Sequence, residues 1–425
     1  MRIVCVGGGP AGLYFAILAK LRDPSAQVTV VERNEEGVTF GWGVTFSDDV
    51  LDTLYSGDPV SAAQIQRNPA SWGDQIVCLS SRPTAHLGGY GFAICRHELL
   101  KILEDRATGL GVELRYGYQV DPDLSEFADA DLILAADGVN SQIRRHRADD
   151  FKPNVEYGTN FYTWLGCTKV FEEFTYAFEP TDAGWIWFHA YPFDDTTSTF
   201  IPEVTPQVWY GLGFDKLDPD QAMDKLAEVF AEHLDGHKLL VQSKNQTREQ
   251  TAQRVTSQTM APWLNFAWVR NQHWYSGNVV LAGDAAHTAH FSIGNGTKLA
   301  FDDVLELDRQ LAANPDIPSA LAAYEAARLK ATDDRLALAR NSAAWLERID
   351  EYAVLHPVRF AYALRTRRDH NPGQGHGLPW MLHRATQNPL GRWARSQLSS
   401  PKRRQRARES QLTRENVPVP SYART

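Results

Sequence analysis

The sequence predicts an α/β protein in which a parallel-sheet unit is interleaved with an antiparallel sheet and followed by a helical C-terminal part. Three observations predict it. "RIVCVGGGPAGLYFAILAKL" runs from strand through a glycine turn into a helix, and "QVTVVER" adds a second strand. That closes a βαβ unit in about 30 residues. Between about residues 160 and 275, "FYTWLGCTKVF", "TYAFEP", "GWIWFHAYPF" and "STFIPEV" read as strands of an antiparallel sheet. A helix over 218–234 is inserted among them. "GNVVLAGDAAHTAH" (277–290) then returns to strand-plus-glycine chemistry, ahead of helices over 297–313 and 317–349.

Each element has its reason. Gly7-x-Gly9-x-x-Gly12 follows the first strand. Gly7 permits the tight turn, Gly9 lets the backbone approach a pyrophosphate, and Gly12 lets the helix pack closely on the sheet. Pro10 and Ala11 open that helix, whose N-terminus favours a diphosphate. Glu32, with Arg33 beside it, ends the second strand and is placed to hydrogen-bond ribose hydroxyls. "ADGVNS" puts Asp137 and Gly138 at another strand end, and "LAGDAAH" does the same with Gly283 and Asp284. Alone, each is a short Asp-Gly turn. Together, in this order, they are far more specific. In "GWIWFHAYP", Trp185, Trp187, His189 and Tyr191 share one strand face, which either lines an aromatic pocket or is ordinary core. "CRHELLKILEDRATGLG" (95–111) reads as a helix, while 37–92 shows few periodic stretches.

Composition narrows the class. The chain has 425 residues, with 22% charged and 11% aromatic, so it is globular rather than disordered. No apolar run is long enough to span a bilayer, and a strand-like run from residue 2 leaves no room for a signal peptide. Cys5, Cys78, Cys95 and Cys167 lack metal-type spacing and read as reduced thiols. A cytoplasmic location, no metal and no membrane association are therefore expected. The net charge is −9, yet from His356 onward 14 Lys and Arg face 3 Asp and Glu. This basic end either docks on the acidic body, meets an anionic partner or is simply solvated. No nucleic-acid motif accompanies it, so nucleic acid is not expected as a partner.

Over most of residues 1–350, the three glycine elements in this order resemble the FAD-dependent aromatic hydroxylases of the 4-hydroxybenzoate hydroxylase type. The resemblance implies a Rossmann-like FAD-binding domain over 1–75, 90–158 and 276–350. It also implies a substrate domain with a large β-sheet over 76–89 and 159–275, and 351–425 is left as a basic extension. It gives Arg96 in "CRHELL" an FAD contact. It places "GWGVTFS", with Trp42, beside the flavin ring, where the segment either gates flavin motion or is a rigid turn. It implies a transiently docked NADH or NADPH as electron donor and oxygen transfer from O2 through a flavin C4a-hydroperoxide.

"GWGVTFSDDVLDTL", "TWLGCTKVFEEFTYAF", "FHAYPFDDTTSTFI" and "TAHFSIGNGTKLAFDD" are similar to the salicylyl-CoA 5-hydroxylase and anthraniloyl-CoA monooxygenase group. The chain has no room for the reductase-like domain of the second kind, which favours the stand-alone salicylyl-CoA type. That implies hydroxylation of the aryl ring of an acyl-CoA at position 5. The alternatives are an indole or other free aromatic, or anthraniloyl-CoA. Arg359, Arg365, Arg367 and Arg368 are candidates for coenzyme A phosphates, with Lys402, Arg403 and Arg404 beyond them. His290, His189 and Tyr191 are candidates for a polarising base. Gly294, Asn295, Gly296 and Thr297 offer backbone N–H groups to the flavin carbonyl, and Lys298 either adds to them or projects into solvent. A monomer or homodimer is expected.

Overall fold

A computed structural model describes residues 1–67, 70–241, 263–294, 296–369, 372–373, 377–395 and 397. Its first sheet has six strands in the order 275–276, 279–281, 132–135, 2–6, 27–31, 113–115, parallel except for the first. Strand Arg2–Val6 is central and buried on both faces, which is why it reads as an unbroken apolar run. Helix Pro10–Arg22 packs over it with Leu13 to Ala19 buried. All three glycine elements leave the C-terminal ends of neighbouring parallel strands. This is where open α/β sheets bind ligands.

The second sheet has nine strands. Its path is 239–240, 165–167, 198–204, 184–192, 174–181, 75–79, 85–86, with 153–162 and 264–271 paired to its flank. Strands 43–46, 91–95 and 70–72 form a small third sheet. Period-two alternation holds along Gly184–Pro192. Trp187 packs with Phe178, and Tyr191 with Phe174, while Phe188 meets Phe200 and Phe230 behind.

Three differences from the sequence reading have physical causes. The segment 37–92, expected to be largely irregular, holds helices Asp48–Gly57 and Pro59–Arg67. Asp58 joins them, accepting Ser61 N–H at 3.1 Å and pairing with Arg106 in two bonds of 2.9 Å. That long-range partner is invisible to periodicity. The helix expected over 218–234 divides into Pro219–Val229 and Ala231–Leu234, because Phe230 leaves helical geometry to bury against Phe188 and Phe200. The basic extension expected from 351 begins as core: Phe360, Ala361, Ala363 and Leu364 are buried against Phe178, Trp187 and Trp345. Lys402, Arg403 and Arg404 lie outside the described residues.

Candidate active site

The glycine turn is shaped by collisions that a side chain would cause. Gly7 has φ +114°, and a Cβ there would meet the Ala136 carbonyl. A Cβ on Gly12 would strike the Gly7 carbonyl, whereas one on Gly9 would meet no protein atom within 4 Å. Helix packing thus requires Gly12, while Gly9 faces open space. Pro10 occupies the first helical turn, and Ala11 is buried beneath the Gly283 loop. Glu32 accepts the Gly8 N–H at 2.8 Å through Oε2, and the Asn34 N–H and side-chain amide at 2.8 and 2.7 Å through Oε1. One groove is lined by Gly9, Glu32, Arg33, Arg96, Asp137 and Gly138, with Arg33 exposed at its edge.

Asp137 accepts the Gln142 N–H at 2.9 Å through Oδ2, while Oδ1 is buried with no partner among the described residues. A buried carboxylate oxygen of this kind calls for a donor from a ligand. Gly138 turns at φ +80° and Gly283 at φ +60°. Two residues that sequence reasoning passed over hold these loops together. Arg144 donates to Val139 O at 2.6 Å and to Ala285 O at 3.0 Å, tying one loop to the other. Asp303 accepts the Gly283 N–H and faces His287 Nε2, both at 2.9 Å through Oδ2, and takes Arg328 Nε at 2.7 Å through Oδ1. No local motif announces either partnership. Asp284 stands in the midst of this cluster, near His287, Arg96 and Arg144. Desolvation raises its carboxyl above the usual range, opposed by His287, Arg96 and Arg144. Arg96, half-buried, donates to Thr39 Oγ1 at 3.2 Å; desolvation lowers its pKa, and Asp284 counters this.

Past the Asp284 loop the chain crosses to the nine-stranded sheet. Thr288 Oγ1 bonds Ala267 O at 2.6 Å and receives Val269 N–H at 2.8 Å, fixing the crossing. His290 is buried beside Phe266, Trp268 and Phe291. Its Nδ1 lies 2.8 Å from Ser292 Oγ. Phe291 stacks 5.6 Å from His189, and His189 stacks on Phe174 at 5.9 Å. His290 and His189 are thus brought to one aromatic face. Desolvation pushes both imidazoles down to about 3, reinforced by Arg367 at each and by His189 at His290. Gly294 closes the loop at φ +64°, and helix Gly296–Ala313 begins directly beyond, with Thr297 in its first turn. Asn295 lies outside the described residues.

An FAD binding domain model matches residues 1–338. The chain belongs to that FAD-binding family. It is 37% identical over 380 residues to a salicyloyl-CoA 5-hydroxylase from Streptomyces sp, covering 86% of this chain and 70% of that protein. It is 35% identical to a 3-hydroxy-4-methyl-anthranilyl-[aryl-carrier protein] 5-monooxygenase from Streptosporangium sibiricum, covering 83% and 90%. The crystal structure of a mutant 2-methyl-3-hydroxypyridine-5-carboxylic acid oxygenase superposes with TM-score 0.64 at 19% identity, covering 86% of this chain and 98% of that one. The protein is an FAD-dependent aromatic monooxygenase with NAD(P)H as electron donor. The groove fits the cofactor: open space at Gly9, an unpartnered oxygen on Asp137, and a helix N-terminus at Pro10.

The monooxygenase places several expected site residues differently. The Trp42 indole packs near Phe193 and over Gly166, where a Cβ would collide with it. Glycines at 41 and 43 are needed because Trp164 and Phe193 press on them, so this loop is a packed turn. Tyr191 is not free to act as a base: its hydroxyl donates to Gly43 O at 3.0 Å, and burial raises its pKa well above the usual phenol. Arg367 is buried and bonded to Ser342, Leu364 and Ser292, so it faces inward rather than toward a phosphate. Arg368 donates to Ile293 O at 3.3 Å. Arg359 lies over the Trp380 ring at 4.6 Å, and Arg365 is exposed. Lys298 does not project into solvent; it is buried and pairs with Asp302 at 2.7 Å. Among the described residues, no helix is long and apolar enough to cross a membrane.

Proposed function

We propose that this monooxygenase hydroxylates salicyloyl-CoA at position 5, giving gentisyl-CoA. One observation carries the thioester over a free acid. Arg367, which lies over the Tyr176 ring of this face, already directs its N–H groups to Ser342, Leu364, Tyr176 and Ser292, so its fork is turned away from a ligand carboxylate. A free aromatic carboxylate taken out of water needs a charged partner. A thioester carbonyl does not. The relative that acts on salicyloyl-CoA supports the same reading.

Bound FAD supplies the redox chemistry, taking a hydride from NADH or NADPH and activating O2 for transfer of one oxygen atom. The protein's part is placement and exclusion of water. Gly9, Glu32, Arg96, Asp137 and Asp284 would hold the cofactor, and the loop 290–294 packs on the nine-stranded sheet through Phe291 against Tyr162 and His189. Phe174, His189 and Phe291 present stacked, uncharged rings against which an aryl group would lie. The phenol oxygen of a salicyloyl group enriches the ring carbon para to it, which is position 5. A dry, oriented site directs oxygen there.

The test is substrate-stimulated NAD(P)H oxidation with salicyloyl-CoA against free salicylate, with mass detection of a product heavier by one oxygen. A large excess rate with the thioester is expected, and equal rates would sink the assignment. A second reading is an aminoaryl group held as a thioester, favoured by the carrier-protein relative matched over 90% of its length. Anthraniloyl-CoA in the same assay separates the two.

A further inference from the structure

Behind the loop 290–294, a chain of hydrogen bonds links Arg367 to His290. Arg367 has N–H donors and no acceptor. Its Nε donates to Ser342 Oγ at 2.9 Å, and its terminal nitrogens donate to Leu364 O and Ser292 O at 2.6 Å each. Ser342 Oγ therefore accepts a hydrogen bond, and its own hydrogen is available to Ser292 Oγ, 2.8 Å away. Ser292 Oγ in turn lies 2.8 Å from His290 Nδ1. The Ser292 backbone N–H, which can only donate, meets the same Nδ1 at 3.3 Å. Two donors converge on one ring nitrogen. Nδ1 must hold the lone pair, and a neutral imidazole then carries its proton on Nε2.

We infer that Arg367, Ser342 and Ser292 are positioning residues that lock His290 in its Nε2–H tautomer, making it a hydrogen-bond donor, and not a base, toward an oxygen of the bound aryl substrate. The inference rests on the proposed function only for the identity of that oxygen, a thioester carbonyl or a phenol oxygen. Nε2 has no protein partner among the described residues, so it is the ring atom available to a ligand. Protonating Nδ1 would set one N–H against another at Ser292. The surroundings oppose a charged ring as well: Phe266, Trp268 and Phe291 enclose it, and Arg367 stands behind. Arg367 thereby gains a definite role. It anchors the donor chain and pins the Ser292 carbonyl, so the loop and the tautomer are set together.

The tautomer is directly measurable. In holoenzyme labelled with 15N-histidine, with the His290 signals assigned by His290→Gln, an unprotonated Nδ1 and a protonated Nε2 are expected from about pH 5 to about pH 8. A protonated Nδ1, an average of two tautomers, or proton uptake within that window overturns the inference. Ser292→Ala deletes the nearer donor and leaves the longer backbone bond. The Nδ1–H form should then become populated, and Ser292→Thr should restore the native pattern; an unchanged spectrum in Ser292→Ala would remove the hydroxyl chain from the account. In turnover of salicyloyl-CoA, His290→Gln retains an N–H donor and should stay within about tenfold of the parent kcat/KM, the scale of one hydrogen bond, while His290→Ala falls further. Equal losses in the two variants overturn the donor role. If no aryl thioester is turned over, the substrate reading fails by itself, and the nitrogen spectra still decide the tautomer.

Discussion

The Asp303 carboxylate receives the Gly283 amide at 2.9 Å, so a helix residue fixes the loop that carries Asp284. The same carboxylate faces His287 and Arg328 at 2.9 and 2.7 Å, with Asp303 itself fully buried. Burial alone would raise its pKa. His287, Arg328 and the Gly283 amide outweigh burial and hold it below the usual carboxylate range. A depressed folded pKa means that the folded state favours the ionised form. Its stabilising contribution is present above the unfolded carboxylate pKa and is lost as pH falls through the folded value.

Asp303→Ala should therefore lose about 3–5 kcal/mol, because it strands a buried Arg328 and His287. Asp303→Asn keeps the shape but not the charge and should lose less. Urea unfolding above neutral pH measures both, and released FAD fluorescence reports whether the Gly283 loop has moved. A stability cost in Asp303→Ala within about 0.5 kcal/mol of parent, the range of ordinary surface changes, would remove Asp303 from the centre of this account.

The glycines of the first turn should separate folding from binding. Gly12→Ala puts a Cβ against the Gly7 carbonyl and should destabilise the fold by about 1–3 kcal/mol, the usual cost of overpacking. Gly9→Ala meets no protein atom within 4 Å, so thermal unfolding of the apoprotein should stay near parent while FAD affinity falls. Loss of stability in both, with affinity retained, would contradict the division of labour between them.

The glycine turns were legible in the sequence because they are built from local rules. Gly7 and Gly12 are required by steric contacts within a few residues of the turn or across one strand, and such requirements leave a fixed spacing. The fold class followed from periods two and 3.6. Asp303, Arg144 and Arg367 were not legible for the opposite reason. Each acts on a loop distant in sequence: Arg367 reaches Ser292 across 75 residues, and Arg144 reaches Ala285 across 141. Nothing near Arg367 in "LRTRRDH" distinguishes the buried arginine from the exposed Arg365. Composition marked this segment as basic, whereas packing selects which cations face inward.

Glu203 should make stability fall with rising pH. It is buried between Asn160 Nδ2 at 2.8 Å and Trp187 Nε1 at 3.3 Å, and desolvation pushes its carboxyl up to about 7, opposed by those two bonds. A raised folded pKa works against the charged form. The folded protein is unaffected below the unfolded pKa and loses stability between it and about 7, the loss being complete above that. Glu203→Gln should remove this loss, gaining about 3 kcal/mol at pH 8 and nothing at pH 4. Asn160 can turn its amide to accept the new N–H, since its Oδ1 has no partner among the described residues. Chemical denaturation at the two pH values checks the sign, and an equal effect at both would exclude the titration.

His189 should show opposite effects on stability and on turnover. It is buried and stacked between Phe174 and Phe291, and no hydrogen bond to its ring nitrogens is found among the described residues. A buried polar group without a partner costs about 1–3 kcal/mol, and an aromatic of similar shape avoids that cost. His189→Phe should therefore raise the midpoint of thermal unfolding. If the imidazole meets a polar atom of the substrate, the same change should raise KM for salicyloyl-CoA and increase NAD(P)H oxidation that yields no product, as the ring loses its orientation. The comparison is informative in both directions. Greater stability with unchanged turnover makes His189 a packing residue, and lower stability means that an ordered water serves its nitrogens. With both imidazoles held near 3, neither should place an inflection in the rate profile between pH 5 and pH 8. An inflection that disappears in His189→Phe would show that this residue titrates in the working enzyme.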